Sequence, residues 1–359
     1  MLESDLAIVK SAKPAATVMP AWPSEQALIN HLPDCTVQSA LVVSLGRAQL
    51  ASVLLEKNPQ ARVTGWFLDL HQASLARASL VASQIHIICA ADLPDERFDF
   101  IAIAVSVRGE AELTRDLLQQ AHERLQAGGT LITAVDNPRD QWLREQLEPM
   151  FDKVTCIDAE HSRVYIGRKS KPLRKLRNFQ AEVVCRDDDH LIKVITRPGV
   201  FAHRQIDPGA RQLLLSMDIQ AGERVLDLGC GSGVLALAAC LRADQVTAYA
   251  VDSNARAVEC VQRSAELNDI LNLETRLNSD GQLGLDGSID VVLCNPPYYS
   301  DFEIAEKMIR TATQALRSGG AALIVNKQPQ WYEERLPQSF VDVEVFPSGK
   351  YWVACGRKP

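Results

Sequence analysis

The run Arg224-Val225-Leu226-Asp227-Leu228-Gly229-Cys230-Gly231-Ser232-Gly233 passes from strand to turn to helix within ten residues. Val225, Leu226 and Leu228 read as a buried strand. The three glycines let the backbone turn tightly and approach a ligand with no Cβ in the way. The apolar stretch Val234–Leu241 that follows reads as a helix whose first N–H groups are open donors. The next strand ends at Asp252, 19 residues after Gly233, followed by Ser253. An acid at that position accepts hydrogen bonds from a ribose diol. Asp227 lies inside the loop, where it repels a pyrophosphate and suits a cationic or zwitterionic ligand. Strands that alternate with longer amphipathic segments imply an α/β fold with a mostly parallel sheet.

Working outward, the same grammar occurs twice. Gly46 and Gly229 each close a first strand, 183 residues apart, and Asp69 and Asp252 close second strands at the same offset. Asp99 pairs with Asp290, and Gly128-Gly129 with Gly319-Gly320, both 191 apart. Both halves end in Gly-Arg-Lys, at Gly167 and Gly356. Such fixed spacing is the mark of tandem duplication. The expected organisation is a first domain over 1–167, a linker over 168–178 and a second domain over 179–359. A hairpin is expected from Glu182–Cys185 and Leu191–Thr196, with Arg186–His190 as its polar turn. A helix is expected over Asn254–Asn268, with Ala257, Val258, Val261 and Ala265 on one face, and another over Asp301–Leu316. Val341–Phe346 and Tyr351–Gly356 form a closing antiparallel hairpin.

Composition excludes several classes. With 47% hydrophobic and 23% charged residues the 359-residue chain is neither disordered nor fibrous. No stretch is long and apolar enough for a membrane span, and the first residues lack the pattern of a secretory signal. The expectation is a cytoplasmic protein. Nine cysteines with no C-x-x-C pair give neither a disulfide framework nor a zinc site, so no metal is expected. The net charge of −7 argues against nucleic acid only as an average. Residues 1–167 carry −7 and residues 179–359 carry −6, whereas 168–178 carry +6 with no acid. Within that strip Arg174, Lys175 and Arg177 are candidate contacts to a phosphate backbone.

Asn295-Pro296-Pro297-Tyr298 follows the strand Val291–Cys294 directly. Two prolines fix φ and stop the ladder. A planar exocyclic amine is a poor nucleophile because its lone pair is delocalised. The Asn295 side-chain oxygen and the Pro296 carbonyl would each accept one N–H, aiming that lone pair and easing the developing charge. Tyr298 offers a face for stacking. The pattern suits methylation of adenine N6, guanine N2 or a side-chain amide. Cys294 reads as core.

The motif D-x-G-x-G-x-G with its downstream Asp252 resembles the class I S-adenosylmethionine-dependent methyltransferases. The second half resembles the RsmC/RlmG group of ribosomal RNA guanine-N2 methyltransferases more closely. The residues that carry this are Pro198-Gly199-Val200-Phe201, Asp207-x-Gly209, Leu213–Ser216, the run from Asn295 to Gly319-Gly320, Val325-Asn326 and Gly349-Lys350-Tyr351. Tyr298 departs from the phenylalanine expected there. The resemblance implies two tandem Rossmann-like domains and S-adenosylmethionine as cofactor. Asp227, Gly229, Gly231, Gly233, Asp252, Ser253 and Asn295 would surround it, with Asp280, after Asn278-Ser279, on the adenine amine. It implies a catalytic Asn295-Pro296-Pro297-Tyr298 acting on a guanosine of ribosomal RNA or of a ribosomal subunit, with small-subunit RNA preferred, and Phe201 at the substrate. A monomer is expected. The alternatives are an adenine or glutamine-amide methyltransferase, or a non-catalytic cofactor-binding assembly factor.

In the first half the loop reads Ser44-Leu45-Gly46-Arg47-Ala48-Gln49-Leu50, and Ala104-Val105-Ser106-Val107 stands where the second half has Asn-Pro-Pro-Tyr. That copy is expected to have decayed, leaving Asp69 with nothing to work with and one active site per chain.

Overall fold

The structure, a computed structural model, describes residues 20–80, 83–297 and 302–359. In chain order the first half contains α1 (Pro23–Asn30), β1 (Ser39–Val43), α2 (Gln49–Lys57), β2 (Arg62–Phe67), α3 (Leu70–Ser79) and β3 (His86–Cys89). It continues with β4 (Phe98–Val105), α4 (Ala111–Arg124), β5 (Leu125–Val135), α5 (Trp142–Leu147), β6 (Val154–Asp158) and β7 (Arg163–Arg168). A hairpin of β8 (Ala181–Asp187) and β9 (His190–Thr196) follows. The second half has α6 (Pro208–Ser216), β10 (Arg224–Leu228), α7 (Val234–Arg242), β11 (Thr247–Asp252), α8 (Ala255–Leu267) and β12 (Leu273–Leu277). It closes with β13 (Ile289–Cys294), α9 (Glu303–Ala315), β14 (Leu316–Asn326), α10 (Pro329–Arg335), β15 (Val341–Ser348) and β16 (Tyr351–Arg357).

The two halves have one topology. Their seven-stranded sheets run β3-β2-β1-β4-β5-β7-β6 and β12-β11-β10-β13-β14-β16-β15. Five strands are parallel in each, and the last two form an antiparallel hairpin. Even the irregularities repeat: the register shifts at Phe98/Phe100 in one sheet and at Ile289/Val291 in the other. Parallel strands covered on both faces must be apolar throughout, and Val225, Leu226, Val292, Leu293 and Cys294 are fully buried. Helix α8 starts where the Asn254 side chain accepts from the N–H groups of Arg256 and Ala257, satisfying two open donors. It buries Ala257, Cys260, Val261 and Ala265. Val258, expected on that face, is half-buried, and Arg256 is buried instead.

The Gly-Arg-Lys ends have a structural job in both copies. Arg168 Nε donates to Gly128 O (2.8 Å) and Lys169 Nζ to Leu125 O (2.7 Å). Arg357 and Lys358 do the same to Gly319 O (3.0 Å) and Leu316 O (2.6 Å). Cations here meet carbonyls left open at a helix C-terminus. The first fold therefore runs through Lys169, two residues into the expected linker. Lys171 pairs with Asp152, so half of the basic strip is committed to the fold.

The hairpin is tighter than expected. Arg186, Asp187 and His190 pair as strand residues, and the turn shrinks to Asp188-Asp189, with Asp188 at φ 47°. Buried Asp187 takes Arg242 on both oxygens (2.8 and 2.6 Å). At the C-terminus Pro347 and Ser348 belong to β15, and the turn is Gly349-Lys350. Helix α9 begins at Glu303, and Asp301, its expected start, lies outside the described residues. No helix among the described residues is long and apolar enough to cross a membrane.

The two halves pack through a charged seam. Arg256 on α8 is fully buried and reaches Asp116 (2.5 Å) and Asp92 (3.4 Å) of the first half. It also donates to Ala91 O (2.6 Å) and Pro198 O (2.7 Å). Arg197 joins Asp92 to Glu259 beside it.

Candidate functional site

A cavity of about 900 Å³ opens at the C-terminal ends of β10, β11 and β13. Strand ends in an open parallel sheet are where ligands bind, because the loops there diverge. Gly229, Gly231, Asp252, Ser253, Asn295 and Pro297 all line it. Gly229 has φ +75°, and a Cβ there would lie 2.5 Å from Met308 Cε. The positive φ favours glycine here, and a Cβ would also displace the end of the Met308 side chain. Gly233, also at φ +75°, packs against Val261 at the start of α7 and shapes the loop from behind the cavity.

Asp252 faces the cavity. Its Oδ2 accepts from Gly231 N (2.8 Å) and its Oδ1 from Asn254 N (2.9 Å). Burial raises its pKa, and these N–H groups oppose the rise. Asp227 takes another role from the one expected. It is 1% exposed, stands behind the loop, and accepts from Ala236 N in the first turn of α7 (3.2 Å). Desolvation pushes its pKa up to about 7, with the Asp252 charge adding to the rise. It braces the loop and is absent from the cavity wall.

Asp280 is also displaced from its expected place. It is exposed and accepts from Gln282 N and Asn278 Nδ2 (both 2.9 Å), which hold its pKa down. Its neighbours Asn278, Ser279 and Gly281 form that wall of the cavity instead. The carboxylate is spent on tightening the turn.

Asn295 sits at the tip of β13. Its Nδ2 donates to Asp207 Oδ2 (2.8 Å), and the same oxygen accepts from Ala210 N (2.9 Å) to cap α6. Asp207 therefore sets which way the Asn295 amide points, with its nitrogen toward the cap. Pro296 is buried and Pro297 lines the cavity. Tyr298 lies outside the described residues. Burial drives the Cys294 thiol far above its ordinary pKa, which makes it core. Phe201 is 58% exposed at the cavity, its Cβ beside Gly231. Arg174, Lys175 and Arg177 are exposed on the segment that joins the halves.

The first half supplies part of the wall, through Asp69, Glu110, Ala111 and Glu112. Glu110 accepts from Gly199 N (2.7 Å), and Glu112 takes Arg204 Nε (2.8 Å) and His203 Nε2 (3.1 Å). Glu110, Glu112 and His203 bring possible metal donors within 4.8 Å of one another. These bonds make the group a clamp on the turn that carries Phe201.

The loop of the first half is filled by its own chain. Glu25 on α1 is fully buried, accepts from Ser44 Oγ (2.9 Å) and Leu50 N (3.1 Å), and stands against Gly46.

Residues 191–354 match the Methyltransferase small domain family. A Ribosomal RNA small subunit methyltransferase C of Pseudoalteromonas atlantica is 27% identical over 84% of this chain and 90% of its own length. A Ribosomal RNA large subunit methyltransferase G of Pseudomonas putida is 29% identical over 90% of this chain and 83% of its own length. A solved T. thermophilus 16S rRNA N2 methyltransferase, RsmC, in complex with AdoMet and guanosine has the same fold. It covers 94% of this chain and 92% of its own, with a TM-score of 0.77 at 21% identity.

Proposed function

We propose that this chain is an RsmC/RlmG-type methyltransferase, which moves a methyl group from S-adenosylmethionine to the exocyclic N2 of a guanosine in ribosomal RNA. One observation carries the reading: Asn295, its amide set by Asp207, shares a cavity with the glycine loop and Asp252. The donor set fits the cofactor. Asp252 suits a ribose diol, the carboxylates of the wall suit a cationic ligand, and Gly229 and Gly231 bring backbone without a Cβ to the cavity. When bound, S-adenosylmethionine supplies an electrophilic methyl group on a sulfonium.

The chain's own residues then have separable tasks. Asp252 accepts from the ribose hydroxyls, and the 278–281 turn faces the adenine. The Asn295 side-chain oxygen and the Pro296 carbonyl accept the two N–H groups of the guanine amine. Fixed acceptors placed where positive charge develops lower the barrier. Orientation for in-line attack adds to this. Tyr298 and Phe201 stack on the base. No strong base is required, because the amine loses its proton after transfer. Arg174, Lys175 and Arg177, exposed on the segment that joins the two acidic domains, meet backbone phosphates. We favour small-subunit RNA as the substrate, after the name of the Pseudoalteromonas relative, whereas the Pseudomonas putida relative is named for the large subunit. The enzyme acts as a metal-free monomer in the cytoplasm.

The test is nucleoside mass spectrometry. Small-subunit RNA from a strain lacking the gene is incubated with the protein and S-adenosylmethionine, then digested. The expected product is N2-methylguanosine. N6-methyladenosine, or methyl transfer to protein alone, overturns the reading.

A further inference from the structure

Asp69 is the first half's counterpart of Asp252 at the 183-residue offset: Asp252 ends β11, and Asp69 lies two residues beyond β2, at the start of α3. The glycine-loop position of its own half is already filled by Glu25. Its oxygens are divided between two jobs. Oδ1 accepts from Gln72 N (3.0 Å) and caps α3. Oδ2 accepts from Ser253 Oγ (2.6 Å), 184 residues away and next to Asp252. The backbones meet at the same place: Leu70 N donates to Ser253 O (2.7 Å) and Ala255 N to Leu68 O (2.9 Å), around an antiparallel bridge of Asp69 with Asn254. The strand ends that would each hold a ribose in two separate enzymes here abut, and both line one cavity.

From this we infer that Asp69 is a positioning residue for the cofactor: through Ser253 it holds the turn that presents Asp252 to the ribose. The inference rests on the cavity being the S-adenosylmethionine site. A hydrogen bond from a hydroxyl to a carboxylate at 2.6 Å is of the strong, charge-assisted kind. It fixes a residue whose neighbour must meet two hydroxyls at once. Two backbone bonds hold the turn in place, and the Asp69 bond fixes its side-chain face. A carboxylate that bound a ligand in an undecayed copy thus serves the ligand of the other copy.

The experiment is calorimetric titration of the full chain with S-adenosylhomocysteine and with its 2′-deoxy analogue. Asp69→Ser keeps a good helix cap but withdraws the carboxylate from Ser253. Its affinity for S-adenosylhomocysteine is expected to fall about tenfold, the scale of one charge-assisted bond. Affinity for the deoxy analogue should fall much less, so that the preference for the full diol shrinks. Asp69→Ser combined with Ser253→Ala should be no worse than the weaker single variant, because both remove one bond. Unchanged affinity in Asp69→Ser, an equal loss for both ligands, or strictly additive losses would overturn the inference. If Asp69→Ser does not fold, Ser253→Ala alone decides by the same shrinking preference. A wild-type chain that binds neither ligand would instead remove the cofactor reading, and this inference with it.

Discussion

The loops at 44–50 and 227–233 are one structure under two chemistries. Asp227 and Ser44 occupy equivalent positions, yet both loops have a buried carboxylate. In the second half it comes from the strand and accepts from Ala236 N in the following helix. In the first half it comes from Glu25 on the preceding helix and accepts from Leu50 N in the corresponding turn. Backbone shape persists as well. Gly231 has φ +51° and its counterpart Ala48 has φ +59°, a conformation that costs a residue with a Cβ about 1–2 kcal/mol. What changed is the space. Gly229 borders an open cavity, whereas the room beside Gly46 holds Glu25, Gln49 and Trp22. In the first copy Glu25 fills the space beside the loop and supplies the carboxylate that Ser44 lacks.

The largest effect is expected where the copies meet. Arg256→Ala would leave Asp116 buried without its cation, costing about 3–5 kcal/mol in chemical denaturation. Two separate unfolding transitions in that variant would show that the seam joins the copies. One transition of unchanged midpoint would break that claim. Next comes the motif the first half lacks. Asn295→Ala should lower kcat by about 10²–10³-fold, while affinity for S-adenosylmethionine stays within about threefold. A normal kcat would remove Asn295 from the chemistry.

Smaller effects sharpen the comparison of the loops. Glu25→Ala should cost about 1–3 kcal/mol by leaving the Ser44 hydroxyl proton and Leu50 N without their acceptor. Adding Ser44→Asp should restore at least half of this, since it returns the carboxylate to the position Asp227 uses. A double variant less stable than Glu25→Ala would deny that the two acids are interchangeable. The last effect is a pH slope. Asp227 keeps its proton in the folded chain up to about pH 7, whereas the unfolded chain has released it. Its contribution is therefore most favourable in acid, falls as pH rises toward 7 and is flat above. The slope is at most about 1.4 kcal/mol per pH unit. Asp227→Asn should flatten stability against pH by that share between pH 4.5 and 7. An unchanged slope would contradict the buried, protonated carboxylate.

Much of this was legible in the sequence because duplication writes the same spacing twice. The matched offsets of Gly46 and Gly229, or Asp99 and Asp290, located both sheets and the terminal hairpins. Gly229, Gly231, Asp252 and Asn295 belong to local motifs, and all four line one cavity. What escaped are contacts between distant segments. Asp207 lies 88 residues from Asn295, and Asp69 lies 184 from Ser253. No periodicity links such pairs. The expectation that Asp69 was idle was wrong, because its partner belongs to the other copy. Asp227 and Asp280 were placed by motif alone, and neither motif tells whether a carboxylate faces the ligand or its own turn. The Gly-Arg-Lys ends read only as a landmark of the repeat, since covered helix carbonyls leave no mark in a sequence.

The central claim is that one of two homologous copies binds the cofactor. Calorimetric titration of the full chain with S-adenosylmethionine tests it most directly. The account predicts one site per chain, greatly weakened by Asp252→Ala. Two sites per chain, or one that survives Asp252→Ala unchanged, would contradict it.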